Sequence, residues 1–88
     1  MKIKIDKVDR EKMQNQGVLA WPIWECQPSE FEWHYDQEET CYILEGEITV
    51  KTADQEVSIR PGDYVVFPRG LDCIWTVSKA VRKHYDFK

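Results

Sequence analysis

The chain has 88 residues, of which 42% are hydrophobic and 32% charged, and its formal net charge is −4. This length fits one domain and excludes a two-domain enzyme, while the apolar fraction excludes wholesale disorder. The acidic balance argues against a grip on phosphate backbones or anionic lipid, so neither nucleic acid nor a membrane is an expected partner.

Lys2 to Asp6 (KIKID) alternates like an edge strand. Asp9 to Gln16 offers an acidic cap and helix formers for about two turns before Gly17 stops them, and this is the one helix the sequence predicts. The opening MKIKIDKVDR alternates charge with isoleucine, unlike the apolar core of a signal peptide, and no run reaches the roughly 20 apolar residues of a membrane span. A cytoplasmic protein is expected. Val18 to Trp24 is apolar but interrupted by Pro22, which confines it to an edge strand or an extended wrapping segment. Residues 1–28 therefore read as strand, helix and wrap, and residues 29–88 as a β-barrel.

From Phe31 onward the text becomes short β-branched and aromatic runs: FEWHY, CYIL, EITVKT, EVSIR, DYVVF, CIWTV and RKHYDF. Turns are expected at Glu45-Gly46, Ala53-Asp54, Pro61-Gly62-Asp63 and Pro68-Arg69-Gly70. Six or seven strands at a spacing of roughly ten residues favour an all-β sandwich or small barrel. CYIL and YVVF are apolar at consecutive positions and so offer hydrophobic groups to both faces of their sheet. One face lines the barrel, and the other needs the Val18 to Trp24 wrap or a second subunit as cover, which makes a homodimer the expected assembly. The basic cluster Lys79 to Lys83 reads as a solvated edge. Cys26, Cys41 and Cys73 are odd in number and lack C-x-x-C spacing, so reduced thiols are expected.

Two segments resemble the two halves of the cupin superfamily signature. Gly62, Pro68, Gly70, Cys73 and Val77 match the spacing of its second motif, with Cys73 at the metal-histidine position and Val77 at the asparagine. Glu39 and Gly46 match the second half of its first motif. Within the superfamily, the strings WPIW, ETCYILEGE, PGDYVVFPRGL and RKHY are similar to the small single-domain branch labelled with the (S)-ureidoglycine aminohydrolase cupin domain. The resemblance implies a single-domain jelly-roll β-barrel with its site inside. The branch label names a manganese enzyme, but this chain lacks most of that enzyme's metal ligands.

The two histidine positions ahead of Glu39 admit two registers. A four-residue gap assigns them to Glu32 and His34, and a three-residue gap to Trp33 and Tyr35. In the first register His34, Glu39 and Cys73, with Glu32, surround a divalent cation; zinc and iron suit these donors, and manganese and nickel stay open. In the second there is no metal. Strand parity favours the second, because Phe31, Trp33 and Tyr35 form the apolar series while Glu32 and His34 belong to the polar one.

Glu39 is then a carboxylate anchored by a lysine or arginine, or a general acid or base tuned by aromatic walls. Cys73 and Trp75 share a face, and Cys41 faces them across the cavity. A buried cysteine is inert unless a cation stabilises its thiolate, a role open to Lys83 or His84. Tyr85 turns Lys83 into the barrel and leaves Arg82, His84 and Asp86 to solvent. Glu39, Cys73 and Lys83 are thus the catalytic candidates, and Trp33, Tyr35, Cys41, Trp75 and Tyr85 complete the ligand-binding set. The leading expectation is a cofactor-free cupin that binds a small polar or anionic organic molecule between these residues. The alternatives are a cupin enzyme acting on a ureide or sugar derivative, with or without a divalent metal, and an interaction module with a filled barrel.

Overall fold

The computed structural model describes residues 2–87 and contains β1 (Lys4–Lys7), α1 (Arg10–Asn15), a 3-10 turn (Val18–Ala20), β2 (Ile23–Cys26), β3 (Ser29–His34), β4 (Glu39–Lys51), β5 (Glu56–Ile59), β6 (Asp63–Phe67) and β7 (Asp72–Phe87). The Asp9 side chain caps α1 by accepting from the Glu11 N–H at 3.0 Å. Gly17 then takes the left-handed conformation, φ 77°, and ends the helix.

Five strands follow in the order β1-β6-β4-β7-β2, with β5 on β4 and β3 on β7. All of these pairings are antiparallel. The first half of β4 pairs with β6 and with the last residues of β7; its second half pairs with β5 and with the first residues of β7. The two long strands therefore pass from one layer of the jelly roll to the other and close it into a barrel.

The seven short runs expected after Phe31 form five strands. CYIL and EITVKT are one strand, and CIWTV and RKHYDF are another. Glu45-Gly46, expected as a turn, lies inside β4, where the pairing with β7 shifts register between Ile43 and Ile48. Gly46 has φ 108°, and a β-carbon there would lie 2.7 Å from both the Ala80 carbonyl oxygen and the Val81 α-carbon. A glycine inside a strand pattern serves a bulge as readily as a turn, and here it bends the strand without ending it.

The segment Val18 to Trp24 divides into the 3-10 turn and the edge strand β2, with Pro22 between them. Met13, Val18 and Tyr42 form a small second core, joined by Val8, Leu19, Trp21, Leu44 and Tyr64. The outer face of β4 is thus covered by the chain's own helix and turn, and it needs no second subunit for that purpose. His84, expected at the surface, is buried beneath this cover, and its Nδ1–H donates to the Trp21 carbonyl at 2.8 Å. The main core fills the barrel with Ile43, Ile48, Val50, Ile59, Val65, Phe67 and Val81 among others.

Gly46→Ala is expected to destabilise the fold by at least about 2 kcal/mol, because left-handed strain of roughly 1–2 kcal/mol adds to a clash with immobile backbone. Gly17→Ala, also at positive φ but with nothing within 4 Å of its added carbon, should cost only the strain. Urea unfolding of the two variants side by side checks this, and equal losses would show that Gly46 is not held against β7.

Candidate functional site

Alternation along β3 sends Phe31 and Trp33 to one face and Glu30, Glu32 and His34 to the other. In register Phe31 lies opposite Trp75 and Trp33 opposite Cys73. Tyr35 continues the inward series just beyond the strand, where its N–H donates to the Leu71 carbonyl at 2.9 Å and its own carbonyl accepts from Gly70 at 2.7 Å. Phe31 stacks on Trp75 at a centroid distance of 6.0 Å, and Tyr35 stacks on Phe67 at 4.8 Å. Trp24 meets Trp75 edge-on at 5.9 Å. Such pairs add about 0.5–1.5 kcal/mol each beyond burial, so ring contacts as well as burial hold these walls together.

The walls enclose a cavity of about 240 Å³ at the barrel mouth, lined by Trp24, Phe31, Trp33, Tyr35, Trp75, Tyr85 and Phe87 together with Glu39 and Lys83. Glu39 comes from the start of β4 and Lys83 from the last third of β7. Lys83 pairs in register with Ile43, and Glu39 lies two same-face positions farther along, within reach of the long lysine side chain. Lys83 Nζ donates to Glu39 Oε1 at 2.8 Å, with both side chains buried. The ammonium lies 4.7 Å from the Trp75 ring centroid, 5.0 Å from Trp24 and 5.9 Å from Phe67. One carboxylate and three ring faces therefore surround the cation.

Of the residues expected at the site, Trp33, Tyr35, Glu39, Trp75, Lys83 and Tyr85 meet at this cavity, and Cys41 and Cys73 do not line it. Cys41 is fully buried in the barrel core. Cys73 points its thiol toward the Trp33 carbonyl at 3.7 Å and borders a separate groove. Burial pushes the Cys41 thiol up to about 12, with Glu39 adding to the rise and Lys83 opposing it. Burial likewise raises Cys73 to about 11, against a smaller opposing effect of Trp75. Burial thus favours the neutral thiol at both positions, and Cys73 lies outside the cavity in which it was expected to act. Burial, then Glu39, also raises the Tyr35 hydroxyl well above its ordinary value. The Trp75 indole N–H is buried without a hydrogen-bond partner.

Trp24, Phe31 and Phe87 join the cavity although they were not in the expected set. Phe31 and Phe87 share parity with Trp33 and Tyr85 and were within reach of the sequence. Trp24 enters because β2 pairs with β7 so that Trp24 lies opposite Lys83, a long-range register no local pattern encodes.

The metal alternative is not assembled. His34 turns outward, its side chain 52% exposed, with Nδ1 2.7 Å from Asp72 Oδ1 and Nε2 3.5 Å from Asp36 Oδ1. Among the described residues no three His, Cys, Asp or Glu side chains converge on one point. At the cavity, the single carboxylate is engaged by an ammonium and Cys73 lies outside the lining, so these side chains are not brought together as a set of donors for a divalent cation.

Lys83→Met leaves the Glu39 carboxylate buried without its partner and should cost about 3–5 kcal/mol. Glu39→Gln should cost less, and the double replacement should be milder than the sum by at least about 1 kcal/mol. A double-mutant cycle on unfolding free energy measures this coupling; strict additivity would show that the two charges do not stabilise one another.

The thiols predict a pH dependence. Cys41 keeps its proton in the folded chain to about pH 12 but loses it from its ordinary 9.0 when unfolded, so the folded state binds more protons in that window. Stability from this group is complete below pH 9 and declines from there to pH 12, by about 1.4 kcal/mol per pH unit at the steepest. Urea midpoints between pH 8 and pH 10.5 should fall accordingly, and Cys41→Val should flatten the slope by one proton.

The sequence matches the EutQ-like cupin domain family over residues 13–85. A crystal structure of a DUF861 family protein from Thermotoga maritima is 50% identical, with coverage of 99% of this chain and 100% of that one and a TM-score of 0.94. The EutQ protein of Clostridium difficile is 22% identical over 74% of this chain, with a TM-score of 0.68, and this chain spans 52% of its length. A putative ethanolamine utilization protein Q from Salmonella typhimurium is 23% identical over 74% of this chain and 53% of that one, with a TM-score of 0.67. No curated protein matches. With the family match running from α1 to the last strand, the chain belongs to the EutQ-like cupins.

Proposed function

We propose that the chain is a cupin whose barrel mouth binds a small polar organic molecule between aromatic walls and the Lys83–Glu39 pair. The observation that carries this reading is the pair's position at the floor of a cavity, with both side chains withdrawn from bulk water. A barrel evolved only to be filled gains nothing from two buried charges, since apolar residues of equal volume avoid their desolvation. Trp33 and Phe87 support the same reading, because they leave large apolar surface exposed at the rim, 50% and 43% respectively, where an incoming ligand would cover it. The volume of about 240 Å³ lies below the roughly 300–1,000 Å³ of drug-sized sites, so the ligand is small.

A second reading is an enzyme acting on a ureide or sugar derivative. It rests on Glu39 and Lys83 as a base and an acid 2.8 Å apart against the cavity. The Glu39→Gln variant would then bind substrate and fail to turn it over.

Three of the cavity walls are tryptophans, so intrinsic fluorescence reports occupancy directly. In a screen of small polar and aromatic compounds, hits should quench this emission. At about 100 times the dissociation constant they should also add roughly 2.7 kcal/mol of stability, a rise of roughly 10–20 °C in Tm. A broad screen that moves neither signal would leave the filled-barrel module as the better description.

A further inference from the structure

We propose that the cavity selects uncharged, ring-sized molecules bearing a carbonyl oxygen, held by Lys83 as hydrogen-bond donor with its charge cancelled by Glu39. This rests on the small-molecule reading above and deepens it to a ligand class.

Charge supplies the first step. Lys83 and Glu39 are the charged residues among those lining the cavity, and they are bonded to each other, so the floor has no net charge. An anion that approached the ammonium would also meet the Glu39 carboxylate, and a cation drawn to the carboxylate would meet Lys83. Each would lose its hydration without a free counter-charge to replace it. The neighbouring thiols add nothing, because burial keeps both protonated.

Hydrogen-bonding capacity supplies the second. An ammonium has three N–H donors, and the bond to Glu39 Oε1 is the one it makes among the described residues. Ring faces occupy three sides at 4.7, 5.0 and 5.9 Å and accept no conventional hydrogen bond. Lys83 also lines the cavity, where a neutral carbonyl oxygen would accept from its remaining donors without adding charge. An anionic ligand, the other class expected from the sequence, would compete with Glu39 for the ammonium of Lys83.

Shape supplies the third. A cavity of roughly 150 Å³ lined by apolar groups holds benzene, so a volume of about 240 Å³ accommodates one ring with a small substituent. The aromatic walls favour a flat body stacked or edge-on against them.

The test uses four probes that share one ring: benzamide, toluene, benzoate and benzylamine, titrated at pH 7.5 by calorimetry or ligand-detected NMR against the unmodified chain, Glu39→Gln and Lys83→Met. In the unmodified chain benzamide should bind at least fivefold tighter than each of the others. Glu39→Gln uncancels the lysine, so benzoate should overtake benzamide. Lys83→Met uncancels the carboxylate, so benzylamine should lead. Benzoate or benzylamine matching benzamide in the unmodified chain would overturn the charge argument and leave the cavity reading intact, and toluene matching it would overturn the role of Lys83 as donor. Failure of all four to bind would overturn the cavity reading and this inference together. If Lys83→Met does not fold, the ranking in the unmodified chain and the switch in Glu39→Gln decide the matter.

Discussion

Pairing between β4 and β7 is the interaction on which the rest of the molecule depends. Glu39 to Ile43 run against Lys83 to Phe87, and Ile48 to Lys51 run against Ile74 to Val77, with the irregular stretch around Gly46 between the two arms. The missing side chain at Gly46 lets β4 approach the backbone of Ala80 and Val81 at the point where the strands bend. The bend folds the two arms toward one another, and side chains on the concave face meet. Lys83 belongs to one arm of β7 and Trp75 to the other, yet the ammonium lies 4.7 Å from the indole centroid. The site is thus a product of barrel closure and not of any single loop.

The ion pair formed by that closure sets the chemistry around it. Removing two charges from water costs several kcal/mol per ion after relaxation. Three features offset this here: a short charge-assisted hydrogen bond, the negative faces of three aromatic rings around the cation, and access of the pair to the cavity. The same low-polarity surroundings act in the opposite sense on groups that have no partner. Cys41, Cys73 and Tyr35 all respond to burial by holding their protons, and Glu39 reinforces this in each case. One environment therefore holds a paired carboxylate and disfavours a lone thiolate.

Parity carried most of what was legible in the sequence. The alternation of Phe31, Trp33 and Tyr35 with Glu32 and His34 is a local period of two, and one face of a barrel strand must be apolar, so the aromatic series had to turn inward. The same reasoning placed Lys83 and Tyr85 together. It failed where a residue's surroundings come from distant chain. His84 shares parity with Arg82 and Asp86, yet the segment Val18 to Trp21 covers it and supplies an acceptor 63 residues away in sequence. Gly46 has the composition of a turn, and only the backbone of β7 beside it shows that it serves a bulge. Cys41 and Cys73 face inward as expected, but inward in a barrel includes both the packed core and the mouth, and depth along the barrel axis leaves no trace in a two-residue period.

The cupin-like signature locates this centre in the chain. Glu39 stands where the resemblance places a metal-binding carboxylate, and it keeps the task of meeting a positive charge. The other positions of that motif, read as Trp33, Tyr35 and Cys73 in the register that parity favours, carry aromatic rings and a buried thiol. Aromatic faces do not replace the hydration shell of a divalent ion, whereas they do attract an onium ion whose charge is spread over its hydrogens. Tyr35 stacks on Phe67, and Phe67 in turn presents a face to Lys83. The aromatic walls and the lysine on the last strand thus act as one unit: three ring faces and the Glu39 carboxylate hold the ammonium in place as a hydrogen-bond donor.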